Sequence, residues 1–295
     1  MKKNYSYLNF VYLIVLAFIW GSSYILMKKG LVYFSPLQVS MLRIVFACLA
    51  LLPYLPKAIK NVQKKDLMFA LAIAVLGSGI PSYLFPLAIS NIDSAVAGII
   101  NALTPVFTMI FGVILFKTKS NFTKILGLSV ALVGAGFLVF LNNNGVQKLS
   151  FNWYALAAVV ATICYGLSGN ILKAKLNHVN AAQLTSLTFF IIGPFALIIL
   201  LSTDFVSIVK ADYAVFSSIF YIFLLGVLGT GFALVIFNFL IRRTDALYAS
   251  SVTFLIPIIA VFWGILDGEK IGVYHLVGLI TILIGVYLMN NPSKQ

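Results

Sequence analysis

The chain has 295 residues, of which 62% are hydrophobic and only 9% charged, with a mean hydropathy of +1.07. Soluble domains are nearer half apolar and a quarter charged, which excludes water as the solvent for most of this surface. The net charge of +13 would suit a nucleic-acid binder, but the Lys and Arg residues sit mainly in short gaps between apolar runs. That is the pattern of topology determinants, so no nucleic-acid partner is expected.

A membrane-spanning helix needs about 20 mainly apolar residues. Ten runs qualify, at roughly 8–28, 36–56, 67–89, 94–116, 122–141, 152–173, 180–202, 213–240, 246–266 and 271–290. The first passes straight into "KKGLVYFSP" and lacks the short apolar core and cleavage site of a leader, so it is read as a retained span. The ten-residue alternating segments of a β-barrel do not occur. The predicted fold class is therefore an all-α integral membrane protein, one compact bundle of ten transmembrane helices, because backbone in lipid must satisfy its own hydrogen bonds.

The first run carries Trp20, Ser22, Ser23 and Tyr24 in a Gly-Ser stretch and ends near Lys28. The second holds Arg43, about a third of the way in. A charge at that depth faces protein or water, either as an interhelical anchor or snorkelling group or as a clamp for a substrate carboxylate. Cys48, also in this run, and Cys164 in the sixth read as small buried hydrophobes, with no disulfide framework or metal spacing. Ser82 and Tyr83 follow Pro81 in the third run. The fourth reads "NALTPVFTMI", with Asn101, Thr104 and a Pro105 that removes a backbone hydrogen bond and predicts a helix break. The sixth run adds Ser168 and Asn170 and ends near Lys173; the eighth adds Asn238; the ninth adds Thr253, a second helix-breaking Pro257 and Trp263. Trp20, Tyr83 and Trp263 suit either a cavity wall or an interfacial anchor. The polar mid-helix residues are candidates for lining a substrate cavity; the alternative is helix–helix hydrogen bonding, at about 0.6–2 kcal/mol per contact.

All seven acidic residues fall at helix ends or in loops. Asp93 and Asp245 each precede a helix and read as N-caps. Lys28 and Lys173 read as interface anchors. No His–acid pair shares a helix face at metal spacing and no strand leads into a phosphate loop, so catalytic residues, metals and cofactors are not expected.

Counted by side, fourteen of the twenty Lys and Arg residues fall on one face and five on the other, with Arg43 inside a helix. This predicts cytoplasmic N- and C-termini. The chain also repeats itself. "LGSGI" at 76–80 matches "LGTGF" at 228–232, an offset of 152 that also pairs Phe85 with Phe237, Asp93 with Asp245, Pro105 with Pro257 and Gly112 with Gly264. After a one-residue gap Gly127 meets Gly278 and Gly134 meets Gly285. At an offset of 145, "GSSYILMK" meets "GLSGNILK", pairing Ser23 with Ser168 and Lys28 with Lys173. Residues 1–145 and 146–295 thus read as two five-helix repeats. Five is odd, so the second must start on the opposite side of the membrane, giving an inverted-topology repeat of the kind found in secondary transporters.

The stretches "FIWGSSYILMKKGL", "FSPLQVSMLRIVFACLALLP", "DSAVAGIINALTPVFTMIFGVILF" and "GLSVALVGAGFLVF" resemble the EamA family of the drug/metabolite transporter superfamily. The resemblance covers essentially the whole chain. It implies a ten-helix bundle whose central cavity is lined mainly by helices 1, 3, 4, 6, 8 and 9, and transport of small metabolites, often efflux of amino acids or related compounds. One departure stands out: the ninth helix is followed by the acidic-basic "DGEK" at 267–270, whereas the fourth ends in "FKTKS". The expected function is a secondary transporter, most simply a monomeric exporter of small polar metabolites in the cytoplasmic membrane. The alternatives are uptake or facilitated exchange by the same fold, a membrane-embedded lipid-handling enzyme or flippase, and a purely structural protein with a closed core.

Overall fold

The computed structural model describes residues 2–118, 122–140, 152–244 and 246–290. Among them all regular structure is helical, with no strand. Eight helices are long and apolar enough to cross a membrane: α1 (Tyr7–Gly30), α2 (Pro36–Asn61), α3 (Lys64–Ile89), α4 (Ser94–Phe116), α6 (Trp153–Lys175), α7 (Ala181–Ser202), α8 (Val215–Arg243) and α9 (Ala246–Leu266). The expected runs at 122–141 and 271–290 form α5 (Phe122–Phe140) and α10 (Val273–Asn290). Their described apolar stretches are shorter, Ile125–Gly134 and Val273–Gly285. These two pack along each other, with Gly134 against Gly278 and Ile282, and Gly285 against Gly127 and Ala131.

Large apolar side chains such as Phe18, Ile198, Phe220, Phe262 and Ile280 stand on the outer surface. A water-soluble protein does not carry so wide an apolar surface; lipid accommodates it. Inside, Tyr24 and Met27 of α1 share an apolar cluster with Ala155, Ala158 and Ala161 from the start of α6. Leu13 and Leu16 of α1 share another with Leu172 and Leu176 from the end of α6. The two helices therefore run in opposite directions.

Four helices are interrupted at corresponding places. π-helical turns occupy Val75–Gly79 in α3 and Val227–Phe232 in α8. Turns of 3-10 helix occupy Asn101–Leu103 in α4 and Ser251–Phe254 in α9. Pro105 and Pro257 sit in the first turn of the α-helical segments that follow. A missing N–H costs least there, because first-turn amides have no intrahelical acceptor. Each π-turn also brings a glycine against a serine. A Cβ on Gly77 would lie 2.5 Å from Ser168 Oγ, and one on Gly229 would lie 2.7 Å from Ser23 Oγ. These positions need glycine because the helices touch.

Candidate functional site

A cavity lies between α1, α2, α3, α4, α6, α7, α8 and α9, with an empty volume, mouth included, of ≈ 950 Å³. One wall is aromatic. Phe85 meets Tyr24 edge-on with centroids 5.6 Å apart and stacks on Tyr165 at 6.0 Å. Trp20 meets Phe237 at 5.0 Å, and its indole N–H donates to Gly229 O at 2.9 Å.

The remaining wall is polar in a particular sense. Ser23 donates its hydroxyl proton to Ile19 O (2.9 Å), Thr104 to Asn101 O (2.9 Å), Thr185 to Ala181 O (2.8 Å), Thr230 to Leu225 O (2.9 Å) and Thr253 to Ser250 O (2.8 Å). Hydroxyls in helices habitually do this. Having given their protons to the backbone, they present lone pairs. Asn238 Nδ2 donates to Thr185 Oγ1 at 2.9 Å, and Asn101 Oδ1 accepts from Thr104 Oγ1 at 3.1 Å.

Arg43 is the charged residue of this lining, and it is only 6% exposed. Its Nε–H donates to Thr230 Oγ1, and its Nη1 lies 3.8 Å from Met27 Sδ. Tyr24 and Tyr165 flank it. Among the described residues it has no carboxylate partner.

Ten of the residues singled out in the sequence surround this space: Trp20, Ser23, Tyr24, Arg43, Ser82, Asn101, Thr104, Ser168, Asn238 and Thr253. Tyr83 and Asn170 do not. Tyr83 is 36% exposed; its neighbour Ser82 faces the cavity instead. A π-turn at Val75–Gly79 precedes it in α3 and alters the rotational phase of the residues that follow. Asn170 turns towards α4, donating to Thr108 O at 2.9 Å and Gly166 O at 2.8 Å. Trp263 donates to Ser22 Oγ at 2.9 Å. Several lining residues escaped notice in the sequence: Ser78, Tyr165, Thr185, Thr188 and Thr230. The repeat held the signal for three of them. Tyr165 precedes Gly166 as Trp20 precedes Gly21, and Thr230 stands in "LGTGF" where Ser78 stands in "LGSGI".

Beyond the cavity, a charged cluster joins the end of α1 to the starts of α4 and the loop after α9. Glu269 Oε1 accepts from Ser94 N (3.0 Å) and Ser94 Oγ (2.6 Å), and Oε2 from Ala95 N (3.0 Å). Lys28 Nζ reaches Glu269 Oε1 at 2.8 Å and Asp267 Oδ2 at 2.7 Å, and Lys29 also pairs with Asp267. The N-cap expected of Asp93 is therefore supplied by Glu269: Asp93 occupies the cap position but its side chain makes no cap hydrogen bond. Burial and the nearby Glu269 charge raise the Asp93 pKa. Burial also opposes ionisation of Glu269 and Asp267. The lysines, with Ser94 and Ala95 at Glu269, outweigh it and hold both carboxyls below their ordinary range. Asp245 lies outside the described residues. Among the described residues Lys173 meets no carboxylate and donates to Ile241 O (3.1 Å), Arg242 O (3.4 Å) and Thr244 O at the end of α8.

A polar cavity walled by helices whose outer faces are apolar defines a multi-pass integral membrane protein. The chain belongs to the EamA-like transporter family, whose model matches residues 8–140 and again 152–291. It is 22% identical over 287 residues to the "Uncharacterized transporter YoaV" of Bacillus subtilis, covering 94% of each chain. An "Uncharacterized transporter" of Archaeoglobus fulgidus is 25% identical, over 92% of this chain and 94% of its own. The "Uncharacterized inner membrane transporter YedA" of Escherichia coli K12 is 24% identical, over 94% and 89%. A solved crystal structure shares the fold with a TM-score of 0.63 at 13% identity, over 95% of both chains. The protein is thus a membrane transporter of the EamA family.

Proposed function

We propose that the protein is a secondary transporter that exports small polar metabolites, amino acids or related compounds, across the cytoplasmic membrane by alternating access. The observation that carries this reading is the cavity's position among matched helix interruptions, with π-turns on α3 and α8 and 3-10 turns before Pro105 and Pro257. Interrupted helices at corresponding positions of two repeats are where transporters place their binding sites.

In this reading α5 and α10 complete ten crossings, residues 1–145 and 146–295 form two inverted repeats, and both termini are cytoplasmic. The opposed directions of α1 and α6 support the inversion. Two like halves facing opposite ways have inward-open and outward-open states of similar energy, which alternating access requires. The protein works as a monomer and without a cofactor. Trp20, Ser23, Tyr24, Arg43, Asn101, Thr104, Ser168, Asn238 and Thr253 are the proposed substrate-facing residues.

The test is a metabolite-release profile of overexpressing cells, followed by counterflow in proteoliposomes. Accumulation of amino-acid-like compounds outside the cells, with counterflow of the same compounds, is expected. Asn101→Ala should lower counterflow about tenfold with folded protein retained, as the loss of a polar contact worth about 1–2 kcal/mol implies. An absence of transport across amino acids, amines and nucleosides would overturn the reading.

A further inference from the structure

We propose that the cavity recognises its ligand by a carboxylate, held end-on by the Arg43 guanidinium, and discriminates against amines. The proposal deepens the transporter reading and rests on it for physiological meaning; as a binding property it is measured separately.

The argument begins with what a buried Arg needs. A guanidinium presents five N–H donors in a rigid planar fork and stays protonated. Burying such a charge is costly unless it is paired. Here Arg43 is almost wholly enclosed and no described carboxylate pairs with it. Thr230 fixes its orientation. The Thr230 hydroxyl donates to Leu225 O five residues back, across the π-turn, and so offers a lone pair to Arg43 Nε–H. Thr230 occupies Nε and the Tyr165 hydroxyl also hydrogen-bonds the guanidinium; the N–H groups these two leave remain for a ligand. The acceptor at Nη1 is the Met27 thioether at 3.8 Å, a weak one that a carboxylate oxygen would replace with a charge-assisted bond.

The rest of the lining narrows the ligand further. The hydroxyls of Ser23, Thr104, Thr185 and Thr253 have given their protons to backbone carbonyls, so the full positive charge that an anion needs comes from Arg43. Among the described residues none that lines the cavity is Asp or Glu. An ammonium group entering the cavity would meet neutral lone pairs and a buried cation, with no carboxylate to offset its lost hydration. Phe85 with Tyr24 and Tyr165, and Trp20 with Phe237, supply an apolar wall for the ligand body. The chemistry is therefore that of a small organic carboxylate with an apolar or aromatic body; an added amino group is tolerated only with the carboxylate present.

Calorimetric titration of the full chain in nanodiscs, with phenylacetate, its neutral isostere phenylacetamide and the cation phenethylamine, tests this. Phenylacetate should bind about 10- to 100-fold more tightly than either of the others, the range that one charge-assisted contact supplies. Arg43→Gln should abolish that preference, and Arg43→Lys should keep part of it, because the charge remains while the fork and its Thr230 contact are lost. If Arg43→Gln does not fold, the wild-type selectivity alone decides. Equal binding of acid and amide, preferential binding of the amine, or an Arg43→Gln protein that binds phenylacetate like the wild type would overturn the proposal. Counterflow of carboxylate and amine alike would sink it while leaving the transporter reading intact. Carboxylate-selective binding with no transport of any solute would support it and sink the transporter reading instead.

Discussion

Lys28 and Lys173 occupy matched places near the ends of α1 and α6, yet the two ends of the bundle treat them differently. Because α1 and α6 run oppositely, the lysines lie at opposite ends. Both α4 and α9 stop at a left-handed residue, Lys117 (φ 55) and Gly268 (φ 80). In both, the next amide bonds back to the matched glycine: Thr118 N to Gly112 O and Glu269 N to Gly264 O, each at 2.9 Å. The two turns are alike but not identical: the bond spans six residues at Thr118 and five at Glu269, and the side chains differ. Where one turn presents Thr118, the other presents Glu269, which binds Lys28 and caps α4. Lys173 takes the terminal carbonyls of α8 instead, a favourable place for a cation at a helix C-terminus. Among the described residues, carboxylates of Glu269 and Asp267 close the end at Lys28, and backbone carbonyls take Lys173 at the other.

Removing that difference should have the largest effect. Glu269 side-chain atoms are 2% exposed and hold Lys28, Ser94 and Ala95 together. Glu269→Ala leaves two amides uncapped and a lysine with one partner fewer. We expect a loss of about 2–3 kcal/mol of stability, below the full figure for a buried pair because Lys28 is one-third solvent-exposed. Thr118→Ala should change stability by less than about 0.5 kcal/mol. Thermal unfolding in detergent compares the two; equal shifts would mean that the charged end is not the stronger closure.

The second comparison concerns places where the two regions agree. Gly77 against Ser168 and Gly229 against Ser23 are equivalent contacts. Alanine at either should cost about 1–2 kcal/mol through overpacking. Gly169→Ala, whose added Cβ meets its nearest neighbours at 3.8 Å, should be neutral or slightly stabilising, since alanine favours helix. If one of Gly77→Ala and Gly229→Ala were harmless in the same unfolding assay, the two contacts would not be equivalent.

These contrasts also show what hydropathy and spacing carry. Eight of the spans were legible because lipid demands long apolar runs, and the matched glycines and prolines because close approach and helix interruption permit few residue types. Arg43 stood out for the same reason: a charge at that depth has few uses. The capping of α4 was not legible. Cap rules are local, and Asp93 satisfies them, but Glu269 arrives from 175 residues along the chain to take both amides. The outward turn of Tyr83 was not legible either: α3 is apolar nearly all round, so its pattern fixes no rotational phase, and the π-turn at Val75–Gly79 bears on that phase as well.

The smallest expected effect is the dependence on pH, and it bears on the charged end alone. Glu269 and Asp267 titrate below their unfolded values, near 4.3 and 3.9. Their contribution to stability is complete above those values and disappears as pH falls through the lower folded ones, because the unfolded chain then binds the protons first. Asp93 runs the other way. Its folded pKa is raised by burial and by Glu269, so ionising it at neutral pH weakens the fold, and lowering the pH through its folded pKa relieves that cost. Asp93→Asn should therefore raise the midpoint of thermal unfolding at pH 7 and leave it unchanged near pH 3, where Asp93 is protonated in both states. Glu269→Gln should lower the midpoint at pH 7 and lose most of its effect near pH 3. A Glu269→Gln penalty that persists undiminished at pH 3 would show that the carboxylate charge is not what distinguishes this end of the bundle from the one built around Lys173.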